Sequence, residues 1–165
     1  MLREPTRKHV WEGRTISVVG DVYRFLVTAQ ETGGTYAQFE ATVPPGGGPP
    51  LHIHSREEEG FFVIEGEVTF QINDETIVAG PGMFANVPRG VRHCFRNESD
   101  EPARMLITLA PAGLEEMFFA VGHPLEEGST IPLPPTLEDI QKLIEIAPSY
   151  GIEILHPDGH ASSST

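Results

Sequence analysis

Over the first two thirds of the chain, apolar residues fall in short β-branched and aromatic runs that glycine, proline, asparagine and aspartate interrupt every few positions. Residues 15–19 and 23–28 flank Gly20-Asp21, and Glu31-Thr32-Gly33-Gly34 makes a turn ahead of the run 35–43. Residues 61–64 form another run, 68–72 and 76–78 flank a hairpin turn at Asn73-Asp74-Glu75, and 103–109 closes the series. Such composition, broken this often, predicts strands joined by tight turns. The fold class that follows is all-β, a sandwich or small barrel.

After Pro111 the apolar spacing lengthens to three and four residues. Leu114, Met117, Phe118 and Val121 predict a short helix within 113–121 that packs on one end of the barrel. Residues 122–135 hold four prolines and predict a loop. A second helix should start at Thr136, with Asp139 as the acidic partner of a capping box, and stop at Pro148. Its buried stripe should be Leu137, Ile140, Leu143, Ile144 and Ala147. The expected organisation is therefore N-terminal strands over 1–34, a barrel core over 35–111, a C-terminal helical extension over 112–155 and a flexible tail over 156–165.

A chain of 165 residues with 39% hydrophobic content suits one hydrophobic core. The formal charge of −13 argues against a nucleic-acid partner, because phosphate binding needs clustered lysine and arginine. No stretch approaches the roughly 20 apolar residues that span a bilayer, so no membrane partner is expected. The opening Met1-Leu2-Arg3-Glu4-Pro5 lacks the apolar core of a signal peptide, and Cys94 stands alone. Both features fit a cytoplasmic location.

The chemistry concentrates between Gly46 and Asn97. In a strand, side chains alternate faces, so His52 and His54 project from the same side with backbones roughly 6 to 7 Å apart. Glu59, at the start of the next strand, can face them. His93, just beyond the Pro88-Arg89-Gly90 turn, is placed to close the same pocket. Three imidazoles and a carboxylate suit one divalent transition metal ion, Fe, Ni, Mn, Co, Cu or Zn, more than Ca or Mg.

These blocks resemble the paired motifs of the cupins. The first motif (glycine, five residues, His-x-His, four residues, glutamate, six residues, glycine) is filled by Gly46, His52, His54, Glu59 and Gly66. The second (glycine, five residues, Pro-x-Gly, two residues, histidine, three residues, asparagine) is filled by Gly82, Pro88, Gly90, His93 and Asn97. The resemblance implies a double-stranded β-helix, a jelly-roll barrel with its site inside, and a small-molecule substrate. It selects Glu59 by its spacing to Gly66, which leaves Glu57 and Glu58 as solvated turn charges.

Residues 20–122 are further similar to quercetin dioxygenase-like cupins. That likeness implies a metal-dependent dioxygenase using O2 on a flavonol-like or other enolisable aromatic substrate, with Glu59 as the catalytic proton carrier. The alternatives are a metal-dependent isomerase or lyase on a small polar substrate, and a non-catalytic cupin that binds a small ligand. Turnover without oxygen marks the first, and a tight ligand without turnover the second.

Strand parity extends the reading to the pocket walls. Phe61 and Val63 should face inward with Glu59, and Val91 and Phe95 with His93; within 35–43 the face of Tyr36, Gln38 and Glu40 and that of Ala37, Phe39 and Ala41 remain equivalent. Met83, Phe84, Met117, Phe118 and Phe119 are candidates for the entrance. Cys94 should be a core thiol on the opposite face from His93. His9, His123, His156 and His160 fit the surface, with His123 near enough to the helical cap to reach the pocket mouth. Exposed edge strands over 15–28 offer a route to a homodimer.

Overall fold

Alternation between buried and half-exposed positions sets the architecture. In the strand Ala37–Val43 (β3) every second residue is buried, so Ala37, Phe39, Ala41 and Val43 face the core and Gln38, Glu40 and Thr42 do not. The computed structural model describes residues 3–156. Before β3 come Thr15–Val18 (β1) and Asp21–Val27 (β2); after it come His52–His54 (β4), Glu58–Glu65 (β5), Val68–Ile72 (β6), Glu75–Ala79 (β7), Phe84–Val87 (β8), His93–Arg96 (β9) and Ala103–Ala110 (β10). Two short strands, His123–Leu125 (β11) and Ile152–Ile154 (β12), follow.

The strands form two antiparallel sheets. One has seven strands in the order β11-β1-β2-β3-β10-β5-β8, and the other has five in the order β12-β4-β9-β6-β7. Aromatic rings join them: Phe61 on β5 lies 5.1 Å from Phe70 on β6 and 5.8 Å from Phe95 on β9. This is a jelly-roll barrel, with a core of buried Phe25, Phe39, Phe61, Phe70, Met105, Ile107 and Leu109 between the sheets. Asn97, which closes the second motif, is fully buried and structural. Its amide nitrogen donates to the carbonyls of Val43 and Glu101 at 2.9 and 2.7 Å.

Helices lie after β2 and toward the C-terminus. The stretch expected to be a plain turn before β3 contains a helical turn, Ala29–Thr32 (α1), with a capping box between Thr28 and Glu31 and a left-handed Gly33 at its end. Glu115–Val121 (α2) and Leu137–Ile146 (α3) are present, and Ala147–Tyr150 continues α3 as a 3₁₀ turn with Pro148 in its first turn. Thr136 and Asp139 form the expected capping box, with the Asp139 amide donating to Thr136 Oγ1 and the Thr136 amide to Asp139 Oδ2.

Three expectations are corrected here. The apolar stripe of α3 is turned outward: Leu137 is 79% exposed, and Ile140 and Ile144 are exposed too, while Leu143, Ile146 and Ala147 pack on the barrel. Periodicity located an apolar face without saying that anything covers it. The stretch 122–135 is not all loop, because β11 pairs with β1. For the same reason residues 15–28 hold no sheet edge, since β1 lies between β11 and β2, and β2 between β1 and β3. His156 is exposed, and the rest of the expected tail, with His160, lies outside the described residues.

Candidate metal centre and pocket

Register brings the four candidate ligands together. His52 on β4 pairs directly with His93 on β9, and His54 leaves the same face of β4 two residues on. Glu59 comes from β5 in the opposite sheet. All four are buried, and one ligand atom from each lies within 4.8 Å of the others. Glu59 Oε2 is 3.1 Å from His54 Nε2 and 3.0 Å from His93 Nε2, and the Nε2 atoms of His52 and His54 are 3.0 Å apart.

The far side of each ring decides what the near side can do. His52 Nδ1 lies 2.7 Å from the Pro50 carbonyl and His93 Nδ1 lies 3.0 Å from the Val91 carbonyl. Both carbonyls accept, so the proton of each neutral imidazole belongs on Nδ1. His54 Nδ1 faces Glu57 Oε2 at 3.4 Å, which favours the same tautomer. When all three rings are neutral, three Nε2 lone pairs and an ionised carboxylate can converge on one point. A cation relieves that arrangement, and the donor set fits a divalent transition metal ion.

A proton and a cation compete for these atoms. Burial, reinforced by neighbouring His93 and His54, holds His52 down to about 3, so it stays neutral. Burial opposes a charge on His54, but Glu57 and Glu59 outweigh it and raise the group to about 9. Burial likewise opposes ionisation of Glu59, yet hydrogen bonds from His54 and His93 bring it far below the usual carboxylate range. The pocket thus holds an anionic carboxylate beside a readily protonated His54, and a metal ion bound there would displace that proton.

Two acidic residues belong to this region that the motifs do not mark. Glu57, expected to be solvated, is buried; only Glu58 is exposed. A signal was available, since Glu57 shares its parity with Glu59. Asp21, read only as part of a turn, is 3% exposed and lines the pocket, and burial raises its carboxyl to about 7. No short-range pattern marks it, because its place depends on how β2 pairs across the sheet.

Beside the tetrad opens a cavity of about 90 Å³, walled mainly by apolar groups such as Val18, Phe39, Phe95, Leu114, Met117 and Phe118. The parity expectations are resolved: Phe95 and Phe39 reach the cavity, whereas Phe61 and Val63 lie buried in the core, Phe61 with its ring 6.1 Å from that of His93. Met117 and Phe118 line the pocket as entrance candidates. Met83 and Phe84 do not; they are exposed, and Phe119 packs against Phe25 under the Arg14 guanidinium. Cys94 is half-buried and points away from the core toward Gln71, with its thiol pushed up by burial. His123 is not at the mouth, because Asp139 Oδ1 holds its Nε2 at 2.7 Å.

An inward-facing tetrad between two antiparallel sheets is what the cupin motifs encode, and residues 39–109 match the cupin domain. The chain thus carries a cupin domain. It is similar to quercetin 2,3-dioxygenase of Bacillus subtilis, 24% identical over 146 residues covering 88% of this chain and 43% of that protein. It is also similar to quercetin 2,3-dioxygenase of Aspergillus japonicus, 27% identical over 141 residues covering 80% of this chain and 39% of that one. The chain therefore spans about two fifths of the length of these relatives. Among solved structures, a Klebsiella pneumoniae protein with a double-stranded β-helix domain superposes with a TM-score of 0.55 at 20% identity, over 67% of this chain and 93% of that one. That likeness shows the shared fold. Among the described residues no helix is long and apolar enough to cross a membrane.

Proposed function

We propose that this cupin binds one divalent transition metal ion through His52, His54, Glu59 and His93 and acts as a dioxygenase on a small enolisable aromatic, flavonol-like compound. The observation that carries the reading is the convergence of three imidazole rings and a carboxylate at an aromatic-walled cavity. The similarity to two quercetin dioxygenases supports the substrate class. When bound, the ion supplies Lewis acidity toward an enolate or hydroxyl oxygen and a site of reaction with dioxygen.

The chain's own groups supply the rest. Phe39, Phe95, Met117 and Phe118 seat a planar ring and keep water from it. Glu59 Oε2 accepts the proton of the substrate hydroxyl, and the neighbouring His54 and His93 stabilise the carboxylate before transfer. The proposal includes a cytoplasmic homodimer, for which the outward face of α3, with Leu137, Ile140 and Ile144, supplies apolar surface; sedimentation equilibrium tests it. The activity is tested by oxygen uptake over a panel of flavonols with protein loaded with each redox-active ion. Uptake dependent on flavonol and metal supports the reading. Turnover without oxygen assigns an isomerase or lyase instead, and a tight ligand without turnover assigns a binding protein.

A further inference from the structure

We propose that Asp21, with Tyr23 beside it on β2, is a second recognition point in the pocket that takes a hydroxyl donor of the substrate. The substrate class is then an aromatic compound with a further hydroxyl group besides the oxygens that face the histidine and glutamate tetrad. This inference rests on the aromatic dioxygenase reading and narrows its substrate.

Asp21 has features that a structural carboxylate lacks. It lines the cavity and is 3% exposed, and its Oδ1 has no hydrogen-bond partner among the described residues. Native interiors seldom leave such an acceptor unused. No lysine or arginine ion-pairs with it among the described residues, so it is not half of a buried salt bridge. The Gly48 amide on the facing loop favours the ionised carboxylate without neutralising it.

The local backbone is built around this side chain. Val18 pairs with Asp21 across a two-residue turn in which Val19 has φ 46° and Gly20 has φ 93°. A β-branched residue in the left-handed region is strained, and such strain gathers at ligand sites; Val19 itself lines the cavity. On the facing loop, a Cβ at Gly47 would come within 2.6 Å of Asp21 Oδ1. Glycine there preserves the space that the carboxylate occupies.

Chemistry then limits the ligand. Tyr23 shares the inward face of β2 with Asp21, and its hydroxyl is held protonated by burial and by the charges of Asp21 and Glu59. Asp21, Tyr23 and Glu59 thus line one pocket, with the tyrosine hydroxyl within electrostatic reach of both carboxylates. An acidic wall repels phosphate and accepts a hydrogen bond from a phenol or alcohol.

The test titrates metal-loaded protein, D21A and D21N with 3-hydroxyflavone and with quercetin, which adds phenolic hydroxyls to the same skeleton, and measures metal content in parallel. Wild type should bind quercetin about tenfold more tightly or better, because a site built for a hydroxyl discriminates against the analogue lacking it. D21A should weaken quercetin binding far more than 3-hydroxyflavone binding, abolishing that preference, with metal content retained. D21N is isosteric and carries the test if D21A does not fold; it should lose roughly threefold or more of the preference. Equal binding of the two flavonols by wild type, or an undiminished preference in the folded variants, overturns the inference and leaves the dioxygenase reading standing. If neither flavonol binds wild type, the aromatic reading falls and takes the inference with it.

Discussion

Glu57 Oε2 faces His54 Nδ1 at 3.4 Å, and both side chains are only 4% exposed. Neither atom has a hydrogen-bond partner of good geometry among the described residues, so each is the other's electrostatic complement. A carboxylate behind a ligating imidazole sets its tautomer and raises its basicity, and removing it typically weakens metal binding by about 10- to 100-fold. E57A should lose metal affinity on that scale in a chelator competition while its circular dichroism stays that of wild type. An unchanged dissociation constant would show that Glu57 does not support the site.

Asp21 gives the protein a pH-dependent stability of definite sign. Its folded carboxyl is raised to about 7 from the usual 3.8, so between those values the native state holds a proton that the unfolded state has lost. Stability therefore falls as pH rises across that window and levels off above it, the reverse of a salt-bridged carboxylate. D21N removes the effect. In urea denaturation, its stability relative to wild type should be greater at pH 8 than at pH 5, and a gap of the same size at both values would contradict the assignment.

Leu143 of α3 lines the cavity, and the Thr136 cap begins that helix. T136A removes the oxygen that accepts from the Asp139 amide and should cost about 1 kcal/mol. For a domain of this size that lowers Tm by roughly 2 to 4 °C. Hydrogen bonds from His123 and from Thr136 hold Asp139 down to about 2, so this cap persists through mildly acid solution and weakens only as pH falls through that value. A thermal scan of T136A at neutral pH checks the size of the effect.

What was legible in the sequence follows how far each cause reaches. His52 and His54 are two residues apart in one strand, so alternation alone puts them on one face; the capping box of Thr136 and Asp139 is equally local. Glu59 and His93 needed the motif spacing, which encodes the pairing of β4 with β9 and the approach of β5. Asp21 depends on the stacking of two sheets and the hairpin register of β1 with β2, neither of which any window of sequence contains. Glu57 was misread because a run of three glutamates resembles a solvated turn, although its parity with Glu59 already pointed inward. The face of α3 was assigned to the core because periodicity reports amphipathicity, whereas coverage depends on which side of the helix meets the barrel. Pro124 suggested a loop, yet proline is admissible in an edge strand, where β11 places it.

The account stands on four side chains sharing one cation, and the most direct measurement is metal stoichiometry across single-ligand variants. Elemental analysis of metal-loaded protein after exhaustive dialysis should give one transition metal ion per chain. H52A, H54A and H93A should each retain the fold by circular dichroism and lose most of that ion. Histidines compete for protons, so wild type should also release it as pH falls through the histidine range. A wild type that retains no ion, or histidine variants that hold it as tightly as wild type, would contradict the claim.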